Sequence, residues 1–337
     1  MKLGIQFPDR PSSVPPAQHF DDVRRLLAHA QELGFTYFTM GQHFVYGDLR
    51  WLQPVPLIAR LAADTGPDVR LAVTVLVVPA YHPIVLAEEL ATLDIVTEGR
   101  LIVGLGGGYR PDEFELLGVG IDDRIARFLE TFEVMKELWT KDLVDWEGRF
   151  WQLKGAQPHI QPATKPYPPI WMGGHSRAAA RRAGELADAW IIPPGSTLDE
   201  IRTGMALVAK GRAARGLPMV PQPLRRNVLV AEDLPAALRR YQAISQERFA
   251  QFASRGLQVV DADDVSDDFE QFALGHAILG TADQIVDQVR SLQAEMAFDP
   301  LIMKPQWTYM DVDQGIAELD LLAPEVIPAL LEMEVGR

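Results

Sequence analysis

The sequence predicts an α/β fold, a closed (β/α)8 barrel (a TIM barrel), and three observations predict it. Eight short apolar segments read as strands, and each is followed by a segment with helical periodicity. The alternation runs through the whole chain with no linker rich in Gly and Ser. The chain has 337 residues, 47% of them hydrophobic, so it can enclose a large core. Right-handed crossovers between parallel strands permit an open doubly wound sheet or a closed barrel; eight units in one continuous alternation favour the barrel. We expect a single domain over 1–337, with a hairpin and connector inserted at 144–168 and an acidic, lid-like insertion at 254–280, both over the carboxyl-end mouth.

Residues 3–7 are the first strand. Residues 20–33 form a helix, because Phe20, Val23, Leu26, Leu27 and Ala30 recur at three- and four-residue spacing and Gly34 stands at its C-cap. Residues 36–42 are β-branched and aromatic, a strand that ends in His43. A helix at 54–64, the apolar strand 71–78 and a helix at 83–96 follow. The fourth strand, 100–104, breaks into Gly104 and then Gly106, Gly107 and Gly108, and Tyr109-Arg110-Pro111-Asp112-Glu113 has the proline and carboxylates of a helix start. In the helix at 122–139, Ile125, Phe128, Leu129, Phe132, Met135 and Trp139 share one face. Residues 144–153 alternate about a Glu-Gly centre, a hairpin by turn chemistry, and a proline-rich connector leads to the fifth strand at 170–172. A helix at 178–186, strand six at 189–192, a helix at 198–214, strand seven at 227–231 and a helix at 234–250 continue the pattern. After the acidic stretch, Thr281 caps a helix to 296, strand eight is 301–303, and 315–334 is the closing helix.

Composition removes several function classes. The chain has no cysteine, which excludes disulfides, thiolate metal sites and a cysteine nucleophile. Its 32 Lys and Arg against 46 Asp and Glu leave a net charge of −14, which disfavours nucleic acid or an anionic membrane as partner. The start MKLGIQFPDR is neither a signal nor a transit peptide, and no apolar run reaches the roughly eighteen residues of a membrane span, so a cytoplasmic location is expected.

Barrel sites lie at the carboxyl ends of the strands. That mouth receives Gln6 and Phe7, then Gln42 and His43, the segment from Val77 through Tyr81 to His82, the turn Gly106 to Arg110, and the turn Gly173-Gly174-His175-Ser176-Arg177. Of its three histidines, His43 directly ends a strand and is the candidate acid–base residue. The two glycine-rich turns follow neighbouring strands, and the second opens a helix with a hydroxyl and a cation, a seat for a phosphate. Alternatively, Ser176 serves only as an N-cap. A dinucleotide fingerprint would need glycine at 109, where Tyr109 stands, and no Lys-Ser/Thr follows as in a phosphate-binding P-loop. No metal is expected, because strand one carries no His-x-His and no His-Glu-x-x-His occurs. Trp51, Tyr81, Tyr109 and Trp171, with Phe7 and His82, are candidate walls of a substrate pocket.

Taken in order, Gly41-Gln42-His43-Phe44, the run Pro79 to Pro83, Thr92 to Val119, the hairpin WEGRFWQL, the connector through PPIWMGG and the closing LGTADQIVDQV resemble the bacterial luciferase-like flavin monooxygenases over nearly the whole length. That family includes alkanesulfonate monooxygenase and deazaflavin-dependent dehydrogenases. The resemblance implies the same barrel, with reduced FMN, or coenzyme F-420 in the dehydrogenases, at its mouth. Cofactor contacts would come from Gly106, Gly107, Gly108, Gly173, Gly174, His175, Ser176 and Arg177, with Tyr109 beside them and Arg110 and Arg177 offsetting the phosphate. It also implies a non-prolyl cis peptide at Thr74-Val75 against the ring, and His43 beside the ring's reactive edge. Luciferase itself has a cysteine and an arginine where this chain has glycines after strand four, so light emission is not implied. The expected activity is oxygenation of a small organic substrate with O2 and reduced FMN from a separate reductase. Alternatives are hydride transfer with coenzyme F-420, a noncatalytic flavin-binding barrel, and a phosphosugar isomerase or aldolase, for which only Lys304 is placed as a Schiff-base lysine. A homodimer through outer helices is also implied.

Overall fold

A computed structural model of the chain describes residues 1–254 and 269–336. Eight strands make one sheet: β1 (Leu3–Gln6), β2 (Tyr37–Met40), β3 (Arg70–Val77), β4 (Leu101–Gly106), β5 (Ile170–Gly173), β6 (Ala189–Ile191), β7 (Gln222–Arg225) and β8 (Phe298–Met303). Their spatial order is β6-β5-β4-β3-β2-β1-β8-β7, and every neighbouring pair is parallel. A bridge from Ile192 to Leu224 brings the two ends of the sheet together, so it curls into the barrel that the alternation predicts.

The helices cover the outside. They are α1 (Pro16–Glu32), α2 (Pro54–Leu61), α3 (Pro83–Val96), α4 (Pro111–Leu116), α5 (Arg124–Thr140), α6 (Arg177–Leu186), α7 (Leu198–Ala214), α8 (Leu234–Ser254), α9 (Phe269–His276), α10 (Ala282–Glu295), α11 (Val312–Leu322) and α12 (Val326–Glu332). The first four each begin on a proline, whose missing N–H has no role in a first turn and whose φ is already helical. None of the described helices is long and apolar enough to cross a membrane.

Strand alternation divides the core in two. On β4, Leu101, Val103 and Leu105 pack outward against the helices, so Ile102, Gly104 and Gly106 face the barrel interior. Ile102 joins Ala72, Trp171, Ala189 and Ile302 in an inner plug, with Tyr37 stacked on Trp171 at 6.3 Å. Because Tyr37 opens β2, this plug fills the amino end. The interior above it is lined by polar residues, glycine and the Val75 side chain.

Three differences from the sequence reading have physical causes. The seventh barrel strand is Gln222–Arg225, not 227–231. The polar Gln222 is fully buried, its Oε1 accepting from the Trp190 N–H at 2.7 Å. Residues Asn227–Val230 leave the barrel sheet and pair in parallel with Ala277–Gly280. Those four residues end the stretch 254–280 that reads as a lid; with α9 they build a second apolar cluster around Leu229, Tyr241, Phe272 and Leu279, so that end is framework. The rest of the lid expectation, 255–268, lies outside the described residues. The closing helix is two helices, parted around Pro324. The hairpin does form, from Val144–Glu147 and Gln152–Ala156, and the Glu130 carboxylate of α5 accepts from the N–H groups of Arg149, Phe150 and Trp151 at its tip.

Candidate active site

Polar side chains begin one layer above the plug. Gln6 of β1 accepts at Oε1 from the Thr39 hydroxyl at 2.9 Å and the Thr74 hydroxyl at 3.0 Å. The Thr74–Val75 peptide is cis, as the family resemblance implies, and the pairing of β3 with β4 shifts between Val73 and Leu76. Thr74 and Val75 both turn inward there, and Val75 occupies space that neighbouring strands leave empty. A Cβ on Gly106 would lie 2.5 Å from a Val75 methyl, and one on Gly173 would lie 2.9 Å from the other. Packing against Val75 therefore requires glycine at 106 and 173, while a Cβ on Gly104 would lie 2.0 Å from the Val73 carbonyl oxygen.

His43 follows β2 and stands among aromatic rings, with Trp51 and Tyr46 each 5.0 Å away and Tyr109 at 5.5 Å between centroids. Its ring remains 16% exposed, so a ligand in the mouth can reach it. Glu113 of α4 holds it from behind. This carboxylate is completely buried and lies 3.3 and 3.4 Å from His43 Nδ1, while it accepts the Phe44 N–H at 2.6 Å. His43 Nε2 points the other way, 3.5 Å from the Tyr109 hydroxyl. Gln53 donates to the His43 carbonyl at 3.0 Å and accepts from Gln42, whose own Oε1 takes the Val77 N–H. Gln42 also meets the Tyr81 hydroxyl, whose pKa burial pushes up. These contacts join the ends of β2 and β3 into one rigid rim.

The second group lies where β4 and β5, hydrogen-bonded neighbours, end. Gly108 has φ +69° and a Cβ there would strike the Phe114 ring, so this turn is pressed onto α4. Across from it, Gly174 leads into His175, Ser176 and Arg177 at the start of α6, a helix of ten residues. The Ser176 hydroxyl accepts from the Ala179 N–H at 3.2 Å, so the expected N-cap is real. Arg177 is exposed at the positive end of the helix. His175 Nδ1 is buried without a hydrogen-bond partner among the described residues. Burial, with the nearby Arg225 charge, lowers the His175 pKa to about 4, so the ring is neutral. An orphaned imidazole nitrogen, an exposed guanidinium and a helix start suit a phosphorylated ligand.

Five candidates have other work. Arg110 is fully buried, stacked 4.2 Å over Tyr46 and bonded to Asp112 and the Phe44 carbonyl, so it braces the His43 loop instead of meeting a phosphate. Trp171 belongs to the plug at the amino end, one inward position below Gly173, and is no wall of the mouth. Phe7 follows the inward Gln6 and so turns outward, stacking on Phe38 in the outer core. His82 caps α3 by accepting the Ile84 N–H and packs on Trp151 of the hairpin, so only His43 and His175 remain of the three expected histidines. Lys304 pairs with Asp9 at 3.2 Å, which leaves the aldolase reading without its amine.

Glu113 was missed, because a carboxylate in a first helical turn reads as dipole compensation. Arg225 was missed because strand seven was placed five residues late. It lies inward on β7, half-buried, with no hydrogen-bond partner for its guanidinium among the described residues, and burial lowers its pKa to about 10.

Comparison with known proteins follows the same lines. A family model described as luciferase-like monooxygenase matches residues 1–299. The oxygenase component of the flavin-dependent trigonelline monooxygenase of Acinetobacter baylyi is 27% identical, the match covering 95% of this chain and 92% of that one. The crystal structure of the monooxygenase RslO1 from Streptomyces bottropensis superposes with a TM-score of 0.83 at 26% identity, over 98% of this chain and all of that one. An F420-dependent secondary alcohol dehydrogenase, bound to an F420–acetone adduct, shares the fold with a TM-score of 0.76 at 18% identity, over 98% of each chain.

Proposed function

The chain belongs to the luciferase-like monooxygenase family, and from that premise we propose that it is the oxygenating component of a two-component system, taking reduced FMN from a separate reductase and using O2 to oxygenate a small organic substrate. The observation that carries this reading is the β4–β5 end: glycine turns on adjacent strands, the partnerless Nδ1 of His175, and Arg177 at a helix start. A flavin phosphate would be held by Ser176, Arg177 and the amides of Gly107, Gly108 and Gly174, with the ring lying toward Thr74, Val75 and Gly106. A bound reduced flavin supplies two electrons to O2, one oxygen atom entering the substrate and the other leaving as water.

The protein's own share is positioning, water exclusion and proton handling. Trp51, Tyr46, Tyr81 and Tyr109 present an apolar rim that keeps bulk water from His43. His43 Nε2, at the open side of its ring, takes or returns a proton at the reacting oxygen. Arg225, whose guanidinium has no hydrogen-bond partner among the described residues, puts a cation on the inner wall, where it favours the electron-rich edge of a reduced ring. Val85, Ile95 and Val96 of α3 are about half exposed, which supports a homodimer through this helix; sedimentation of a monomer at micromolar concentration would contradict it.

The test is turnover under 18O2, with reduced FMN delivered by a flavin reductase, against a panel of ketones, terpenes and sulfonates. A product carrying one labelled oxygen is expected from at least one class. Oxygen consumption that yields only peroxide with every substrate, and is unchanged by His43→Ala, would favour a noncatalytic flavin-binding barrel.

A further inference from the structure

We infer that Glu113 is a positioning residue that fixes His43 as the tautomer protonated on Nδ1, and so makes Nε2 a hydrogen-bond acceptor toward the mouth. The argument rests on what surrounds the carboxylate. Glu113 is buried, and its other neighbours are donors: the Phe44 N–H at 2.6 Å and the Arg110 guanidinium, whose Nη1 lies 3.8 Å away. Both of those neighbours donate, so the carboxylate oxygens serve as acceptors, and the His43 Nδ1 that faces both of them does so as N–H. Arg110 cannot turn away to compete. It is clamped by the Phe44 carbonyl, by Asp112 and by the Tyr46 ring, and it carries no exposed surface. The titratable and charged groups facing His43 are thus Glu113 with Arg110 behind it, Tyr46 stacked beside Arg110, and the Tyr109 phenol at Nε2.

The orientation has a chemical consequence, which rests on His43 being the acid–base residue proposed above. With the proton held on Nδ1, neutral His43 can accept a proton only through Nε2, the nitrogen facing Tyr109 and the opening. After protonation the imidazolium is stabilised by the carboxylate behind it, and the same Nε2–H is the proton it returns. The opposite tautomer would present an N–H to the mouth and could not act as a base there.

Glu113→Gln is the discriminating variant. It keeps the shape and, to satisfy the buried Phe44 N–H, must turn its carbonyl oxygen to that donor, which leaves its NH2 facing His43 Nδ1. The proton should then move to Nε2. Long-range 1H–15N spectra of ligand-free, 15N-histidine-labelled protein read this directly, with His43→Ala assigning the signal. We expect Nδ1–H in the parent and Nε2–H in the variant, and a thermal melt confirms that the variant is folded. In turnover, kcat should fall at least about tenfold with little change in KM. An Nε2-protonated His43 in the parent, or a tautomer unchanged by Glu113→Gln, overturns the inference. The spectra need no flavin and no substrate, so they decide the tautomer even if the monooxygenase reading fails.

Discussion

Gly106→Ala probes the packing that shapes the mouth. Gly106 has ordinary negative φ, so alanine meets no backbone objection, and by restricting the unfolded chain it would stabilise the protein by about 0.4–1 kcal/mol in open space. The space is not open: the new methyl would sit 2.5 Å from Val75 Cγ2, more than an ångström inside normal carbon contact. Overpacking of this kind costs about 1–3 kcal/mol and outweighs the entropic gain, so a net loss of about 1–2 kcal/mol is expected. Val75→Ala alone removes two methyls that are half-buried, costing about 1 kcal/mol. In the double variant the collision is gone. Urea unfolding of the four proteins should therefore give a coupling of about 1–2 kcal/mol, with Gly106→Ala nearly neutral on the Val75→Ala background. Additivity within about 0.5 kcal/mol would show that Val75 does not dictate glycine at 106.

Three further outcomes follow from the structure. His19 is buried with Nδ1 unpartnered among the described residues, and burial lowers its pKa to about 4 from 6.5. Between those pH values the unfolded chain binds the proton that the folded one refuses, so stability is complete above pH 6.5 and declines as pH falls toward 4, by about 3 kcal/mol; His19→Asn should flatten urea midpoints across that window. Ser176→Ala should cost about 1 kcal/mol of stability as a lost cap, and Arg177→Ala almost none, yet both should weaken FMN more than riboflavin in equilibrium dialysis. Arg225→Met removes a half-buried cation with no described partner, so it should raise stability by at least about 1 kcal/mol while slowing turnover; a lower melting temperature would mean that the guanidinium is paired.

The barrel could be read from the sequence because its strands are predominantly apolar and its helices are amphipathic, signals that survive without tertiary contacts. Strand seven broke that rule. Gln222 and Arg225 look like loop residues until a partner strand supplies the hydrogen bond for one and the barrel interior encloses the other. The glycine turns and His43 were visible as motifs, but which way a side chain faces at a strand end was not. A single position separates the inward Gln6 from the outward Phe7, and two positions on the same face separate the mouthward Gly173 from the plugging Trp171. Charge was the least readable property. Arg110 and Arg177 look equivalent in sequence, yet one is walled in by Tyr46, Asp112 and a carbonyl while the other stands in solvent. Glu113 and His43 are seventy positions apart, and only the barrel brings them together.

Anaerobic titration of the purified protein with reduced FMN, reduced riboflavin and reduced coenzyme F-420, followed by tryptophan fluorescence, tests the β4–β5 phosphate seat most directly. Reduced FMN should bind at least about tenfold more tightly than riboflavin, corresponding to 1.4 kcal/mol or more from the phosphate, and Arg177→Ala should erase most of that margin. Equal affinity for FMN and riboflavin would contradict a phosphate held at Ser176 and Arg177, and tighter binding of F-420 would make the protein a deazaflavin-dependent oxidoreductase instead.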